Sequence, residues 1–465
     1  MKIYPFIDKN IVLPIAEKLQ GSSILSHYRF LKSSEWWSRE QLNEYRDAKL
    51  KELIRHVYKN VPYYTDLFDA LKLKPKDIEN YDDLVKLPIL TKQNIRDNFD
   101  KIISLDADNR KSKLHSTGGS TGTPLKFKTD MNCWNSQWAS AFRAWDSYNI
   151  TFGEKIFTIG GNSVASINKI FTKKGLWERG ILRNYKQPSS SLCDEDLMEI
   201  YKKYLRNRPK ILRGYPSAIY AFAKFVQKKS LKTLSTSAIL TTGEILLPEY
   251  RYIMQEVFKT TVYDGYGAGD GGIHSHECYM HTGLHVSEEN CIIEICQEGK
   301  RVENEQTGHV ITTDLHNYVF PFIRYDVGDM AYLKNELCSC GRKTKLIGQV
   351  MGRKGKLLYS KDGTPITPTM LPFMLYKDMD YHNENNIVEY NKIDKYRFEQ
   401  DEKGDIKVKI KLKNEFIDKP YTTEHIKYNL EQYFPGSKID ILFTEISNTY
   451  SGSGKLDYVV SNFIG

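Results

Sequence analysis

The sequence predicts an α/β protein: a large N-terminal domain of layered α/β sheets with a β-rich subdomain, then a small mobile C-terminal α+β domain. Three observations carry this. At 465 residues the chain exceeds the roughly 100–200 residues of a single domain. From 115 to 330, short β-rich runs alternate with helical segments, the pattern of a largely parallel sheet. Near Gly352–Gly355 the texture shifts to shorter, more charged segments, so the domains are expected at 1–353 and 354–465.

The elements follow in order. Leu50, Leu53, Ile54 and Val57 recur at three- and four-residue spacings within 35–62, one apolar helical face that Pro62 is expected to end. Short helical pieces follow, punctuated by Pro75 and Pro88, with Thr91 as an N-cap. "KIFTIGG", "ILRGY", "AILTTGE" and "TTVYDGY" read as strands entering glycine turns, and Ser217–Lys229 as a helix with one buried face. Trp134, Trp138, Phe142, Tyr215 and Tyr220 are expected in the core. The run from Val310 to Leu333 is β-rich. Beyond the boundary, "DIKVKIKLK" alternates with period two and a helix is expected around Glu424–Tyr433.

Composition narrows the classes. A 40% apolar and 27% charged chain is neither disordered nor low-complexity. The net charge of +9 is spread out, without the clustered Lys/Arg and interleaved aromatics of a nucleic-acid-binding module. Seven cysteines without regular spacing fit a reducing compartment and a cytoplasmic location. The first residues lack the apolar core of a signal peptide, and no apolar run is long enough to span a bilayer.

Four regions carry possible chemistry. In "STGGSTGTP", Ser116, Thr117, Ser120 and Thr121 interleave with Gly118, Gly119 and Gly122. Tight glycine turns let backbone N–H groups converge and hydroxyls add donors, which makes an anion cradle or, more blandly, a polar surface loop. "YDGYGAGDGG" contains G-x-G-x-x-G, but no apolar helix follows, so a dinucleotide fingerprint is rejected. What remains is a turn presenting Tyr266 for stacking and Asp270 for Mg²⁺, or a solvated turn. "YSGSGKLDY" places Lys455 in a glycine loop without the full P-loop pattern. Finally, "HSHECYMHTGLH" and "CSCGR" supply Cys278, His285, Cys338 and Cys340, a four-ligand set for a structural zinc, with His281 the substitute for His285.

These glycine loops, in this order, resemble the adenylate-forming acyl-CoA synthetase superfamily, specifically its phenylacetate-CoA-ligase-like, capsule-biosynthesis-type branch. The resemblance covers nearly the whole chain. "LIRHVYKNVPYYTDLF" and "LPILTKQNIRDNF" look like the N-terminal signature, and "STGGSTGTP" is similar to the phosphate loop. "LRGYPSAIYAFAKF", "TTGE", "YGAGD", "FIRYDVGD", "GRKGK" and "SGSGK" resemble the later motifs.

The resemblance implies roles. The Ser116–Gly122 loop, through Ser120, Thr121 and Gly122, would grip the ATP phosphates. Gly243 and Glu244 would border the adenine, and Tyr266, followed by Gly267, would stack near it. Asp270 would ligate Mg²⁺, Asp329 would hold the ribose with Arg353 beside it, and Lys455 would reach the carboxylate and α-phosphate. Asp270 stands where the family usually has glutamate, and Gly355 where its hinge usually has aspartate.

The implied activity is ATP-dependent activation of a small carboxylic acid as an acyl-adenylate, then transfer to an acceptor, coenzyme A first. Other acceptors are an amine or hydroxyl in surface-polysaccharide biosynthesis. A catalytically inactive nucleotide-binding relative is the alternative of another class. No nucleic-acid partner is expected, and the chain would be a monomer or homodimer.

Overall fold

The structure is a computed structural model describing residues 7–116, 125–160, 177–188, 194–353, 358–361, 365–366, 371, 375, 393–412, 419–446 and 459–461. The phosphate-loop residues 117–124, hinge residues 354–356 and Lys455 lie outside these.

Helices open the chain: α1 (Leu13–Gln20), α2 (Ile24–Ser34), α3 (Arg39–Asn60) and α4 (Pro62–Ala70). A capping box between Ser38 and Gln41 starts α3, and its predicted apolar face, Leu50, Leu53, Ile54 and Val57, is buried. As expected, the helix ends ahead of Pro62, with Val61 in extended backbone. Its last residue is Asn60, and Pro62 occupies the first turn of α4, where its missing N–H has no intrahelical partner to lose. Thr91 caps α5 (Lys92–Asp97) as expected, accepting from Asn94 N, and α6 (Phe99–Ile102) follows.

Strands β1 (Ser112–Ser116) and β2 (Lys126–Asp130) form an antiparallel hairpin. Asp130 then caps α7 (Met131–Asp146) by accepting from Cys133 N.

The α/β layer comes next. β3 (Ile156–Gly160), β4 (Asn184–Pro188), β5 (Ile211–Gly214), β6 (Ala238–Thr241) and β7 (Val262–Tyr263) form a wholly parallel sheet in the order β4-β3-β5-β6-β7. Helices α8 (Asp194–Asn207), α9 (Pro216–Lys228) and α10 (Pro248–Phe258) alternate with these strands. Phe157, Leu212 and Ile239 pack with Tyr204, Phe222 and Met254 of those helices. On the other side Ile156, Ile211 and Leu240 meet Tyr148 and Ile150, so both faces are covered, as a parallel sheet requires. Tyr215 is wholly buried and Phe142 nearly so, whereas Trp134, Trp138 and Tyr220 are partly buried beside the core.

The β-rich region is an eight-stranded antiparallel sheet. It consists of β8 (Gly265–Ala268), β9 (Ile273–Glu277), β10 (Leu284–Val286), β11 (Cys291–Gln297), β12 (Lys300–Arg301), β13 (Gly308–Asp314), β14 (Tyr325–Leu333) and β15 (Leu346–Arg353). Their order is β12-β11-β13-β14-β15-β10-β9-β8. A strand, not a helix, follows Gly272, in line with rejecting the dinucleotide fingerprint.

A buried ion pair ties this sheet to the helices. Arg143 of α7 grips Glu289 at 2.6 and 3.2 Å, and the Ser34 hydroxyl of α2 donates to the same carboxylate at 2.6 Å.

Further along lie the two-strand pair β16 (Leu358–Tyr359) and β17 (Pro365–Ile366). β18 (Ile393–Gln400), β19 (Ile406–Leu412), α11 (Lys419–Tyr433), β20 (Ile439–Phe443) and β21 (Val459–Ser461) complete the described chain, the sheet running β20-β19-β18-β21. The period-two run is β19, whose burial alternates along the strand. A cluster containing Leu358, Phe398, Val408, Ile426 and Leu430 draws only on residues from Leu358 onward. Among the described residues no helix is long and apolar enough to cross a membrane.

Candidate active site

Ligands of parallel α/β sheets sit outside the carboxyl ends of the strands, and among the described residues "TTGE" and "YGAGD" follow the ends of β6 and β7. At the end of β6, Thr241 gives way to Thr242, Gly243 and Glu244. Gly243 has φ +82°, left-handed backbone that a side chain would strain. The Glu244 carboxylate accepts from Ser217 N at 3.1 Å, at the start of α9, which holds this loop against the neighbouring strand-helix turn. Thr241 donates to Asp264 Oδ1 at 2.6 Å, linking β6 to the turn before β8; burial pushes the Asp264 carboxyl up to about 7.

On β8, Tyr266 donates its hydroxyl to Asp329 Oδ2 at 2.9 Å, so two motifs 63 residues apart in sequence share one hydrogen bond. Asp329, on β14, pairs across the sheet with Arg353 of β15. Gly267 pairs with His274 of β9. Ser116 ends β1 opposite Lys126, so the ends of the glycine loop leave from adjacent strands.

Asp270 is half-buried rather than freely solvated. It accepts from the Tyr325 hydroxyl at 2.9 Å. Burial raises its carboxyl above the ordinary value; the Tyr325 bond and Lys92 oppose that, whereas Asp329 adds to it. Lys92, on α5, donates to Val327 O at 2.9 Å and brings a cation to these acids. Oδ2 of Asp270 accepts from Tyr325, and the carboxylate also accepts from its own backbone N–H. A carboxylate plus substrate phosphates is the donor set Mg²⁺ takes, so these residues fit that ion.

Sequence reasoning gave no role to Lys92 or Tyr325. Both stand inside motifs quoted for the resemblance, "LPILTKQNIRDNF" and "FIRYDVGD", and that was the available signal.

A second cluster gathers Cys278, after β9, His285, on β10, and Cys338 and Cys340, before β15. All four are buried, and their donor atoms lie within 4.8 Å of one another. Cys278 and Cys338 sulfurs are 3.5 Å apart, as are Cys340 Sγ and His285 Nε2. Thr344 Oγ1 lies 2.9 Å from His285 Nδ1, which orients the ring with Nε2 toward the sulfurs. Burial, then Arg342 and Arg143, pull that imidazole down to about 4, so it is neutral, as a metal ligand must be. Burial pushes the Cys278 thiol up to about 12, a cost that a bound dication would offset. Backbone N–H groups also turn toward the sulfurs: Met280 N donates to Cys278 Sγ at 3.4 Å and Cys340 N to Cys338 Sγ at 3.5 Å. Three sulfurs and one imidazole could hold a metal ion. His281 stands apart, its Nδ1 3.1 Å from Glu277 and its ring stacked on Tyr263.

The parallel sheet followed by the antiparallel sheet gives the chain the fold of adenylate-forming acyl-CoA ligases. A solved structure of 2-hydroxyisobutyryl-CoA ligase in the postadenylation state shares this fold with a TM-score of 0.73 at 15% identity, over 92% of this chain and 91% of that one. The chain's sequence relatives are CapK and the phenylacetate-CoA ligases. Protein CapK of Staphylococcus aureus is 24% identical over 465 residues, covering 98% of each chain. Phenylacetate-coenzyme A ligase of Thermus thermophilus is 24% identical over 357 residues, covering 72% of this chain and 76% of the relative. No protein-family model matches the chain.

Proposed function

We propose that this chain activates a carboxylic acid with ATP and passes the acyl group to the thiol of coenzyme A. In the first step a carboxylate oxygen attacks the α-phosphorus, the bond to the pyrophosphate oxygen breaks, and acyl-adenylate and pyrophosphate result. In the second the thiolate attacks the acyl carbon and AMP leaves. The observation that supports this reading is the junction of Tyr266 with Asp329 and of Asp270 with Tyr325 beside the carboxyl ends of the parallel strands.

Each group has a task set by charge. Joining a carboxylate to a triphosphate brings anions together, so donors and cations must neutralise them. The Ser116–Gly122 loop supplies backbone N–H groups and hydroxyls, Lys455 a cation at the reacting oxygens, and Lys92 a cation beside the acids. Asp329, oriented by Tyr266, holds the ribose, Arg353 stands beside it, and Gly243 and Glu244 border the adenine. Asp270 would hold Mg²⁺, which when bound screens phosphate charge. Cys278, His285, Cys338 and Cys340 would hold a zinc ion with every position filled, a structural site that pins β9, β10 and the approach to β15. Residues 354–465 would turn about Arg353–Lys356 between the two steps, in a cytoplasmic enzyme.

Pyrophosphate release with ATP and Mg²⁺, run over a panel of acids with hydroxylamine as trap, tests the first step. Adding coenzyme A in place of hydroxylamine tests the second. Release without thioester formation would turn the reading to an amine or hydroxyl acceptor. Silence with every acid, while ATP binds, would turn it to an inactive nucleotide-binding relative.

A further inference from the structure

Arg213 has no assigned work in the scheme above. It lies on β5 one residue before Gly214, the last residue of that strand. A Cβ at Gly214 would fall 1.7 Å from Ile159 O, so the neighbouring strands are pressed together at this point. Leu212 faces the helices, whereas Ile211 faces Tyr148 and Ile150 on the opposite side. Strand periodicity puts Arg213 on the Ile211 face, between Thr158 of β3 and Leu240 of β6. Burial pulls its guanidinium below the ordinary value, yet part of its surface stays open. Among the described residues the Arg213 guanidinium makes no hydrogen bond and no ion pair with a carboxylate, Tyr215 being the group that raises it. Thr158, its neighbour, already donates to Asn184.

His274 shares this space. Its Nδ1 is buried without a hydrogen-bond partner among the described residues. Burial, then Arg143 and Arg213, pull its imidazole down to about 4, so the ring is neutral and within the field of Arg213. Across from it on β8 are glycines: Gly267 pairs with His274 and Gly265 with His276. A Cβ at Gly265 would only reach ordinary contact with Thr241 O and Ser275 O at 3.4 Å. Tyr266 pairs with Ser275 and so points to the opposite face of β8, where it meets Asp329. The nucleotide groups and the Arg213–His274 slot are therefore on different sides of one strand.

A half-buried guanidinium with no counter-charge among the described residues is costly, and its planar fork of donors suits a carboxylate or another oxyanion. We propose that Arg213 and His274 bind a second negatively charged group at the far end of the substrate, so that the acid activated here is a dianion. This deepens, and rests on, the adenylation reading. One carboxylate reacts at phosphorus; the second anion keeps all its bonds and only positions the molecule.

The test uses the full chain with ATP and Mg²⁺, reading pyrophosphate release with hydroxylamine. Dicarboxylic acids are compared with their monomethyl esters, which match in shape and differ in one charge, and with phospho-substituted acids of similar length. The diacid or phospho-acid should exceed its neutral partner by roughly thirtyfold or more in kcat/KM. Which of the two leads identifies the second anion.

Arg213→Met should abolish the preference and leave the KM for ATP within about twofold. Its melting midpoint should be no lower than wild type, since no hydrogen-bond or ion-pair partner among the described residues is lost. Arg213→Lys should keep part of the preference. Equal use of diacid and ester by the wild type would overturn this inference while leaving adenylation intact. So would a raised ATP KM in Arg213→Met, which would assign the arginine to the nucleotide, or a steep fall in its melting midpoint. Silence with all acids while ATP binds would overturn both.

Discussion

Tyr266→Phe separates the two tasks the tyrosine performs. The ring that would stack on the adenine stays, and what disappears is the 2.9 Å bond to Asp329 Oδ2. A hydrogen bond to a charged acceptor contributes about 1.5–3 kcal/mol. Both side chains are half-buried, so solvent can replace part of the bond and the lower end applies. About 1.5 kcal/mol corresponds to roughly a tenfold loss of ATP affinity. Asp329→Asn should weaken ATP binding at least as much, because it removes the charge itself. The double variant should be hardly worse than Asp329→Asn alone, since the hydroxyl acts through the carboxylate. Titration calorimetry with ATP, together with the KM for ATP in pyrophosphate release, measures both. Wild-type ATP affinity in Tyr266→Phe, or losses that simply add in the double variant, would refute the reasoning.

Other outcomes follow from the same site and its supports. Lys455→Ala should abolish acyl-adenylate formation yet leave thioester formation from a supplied acyl-adenylate largely intact; equal loss of both steps would contradict two positions of the C-terminal segment. Purified protein should carry about one zinc ion per chain by elemental analysis, and Cys338→Ser should lose it; a metal-free, well-folded wild type would remove the zinc assignment. Glu289→Gln should cost about 3–5 kcal/mol in chemical denaturation, because Arg143 would be left buried without its counter-charge. Burial pushes the Glu289 carboxyl up, but Arg143 and the Ser34 hydroxyl outweigh it and hold it below the ordinary value. Its stabilisation is then present above the unfolded value of about 4.3 and lost as pH falls through the folded one, so the gap between variant and wild type should close in acid.

How much of this was legible in the chain depends on the range of the physics involved. Strand-helix alternation, the Thr91 cap and the alternation in β19 are local effects, and each was read from neighbouring residues. Pro62 ends α3, as its neighbours in the sequence indicate, and also opens α4, which only the fold shows. Cysteines and histidines announced a ligand set by residue type. The sequence preferred His285 with His281 as substitute, and the fold separates them: His285 Nε2 lies 3.5 Å from Cys340 Sγ, while His281 Nδ1 lies 3.1 Å from Glu277.

Residue chemistry and motif order thus pointed to an α/β architecture, which the fold bears out, and to the glycine, tyrosine and aspartate groups on which the proposed adenylation rests. Contact between distant segments was decided by packing alone. Tyr325 meets Asp270 across 55 residues, and Lys92 joins the same acids from a helix far upstream. Arg213 looked like any strand arginine, and its guanidinium's lack of a carboxylate partner among the described residues is a property of the space around it. The physical reason is that side-chain type and period are written into short stretches of chain, whereas which charges end up paired, buried or alone is set by how sheets and helices close on one another.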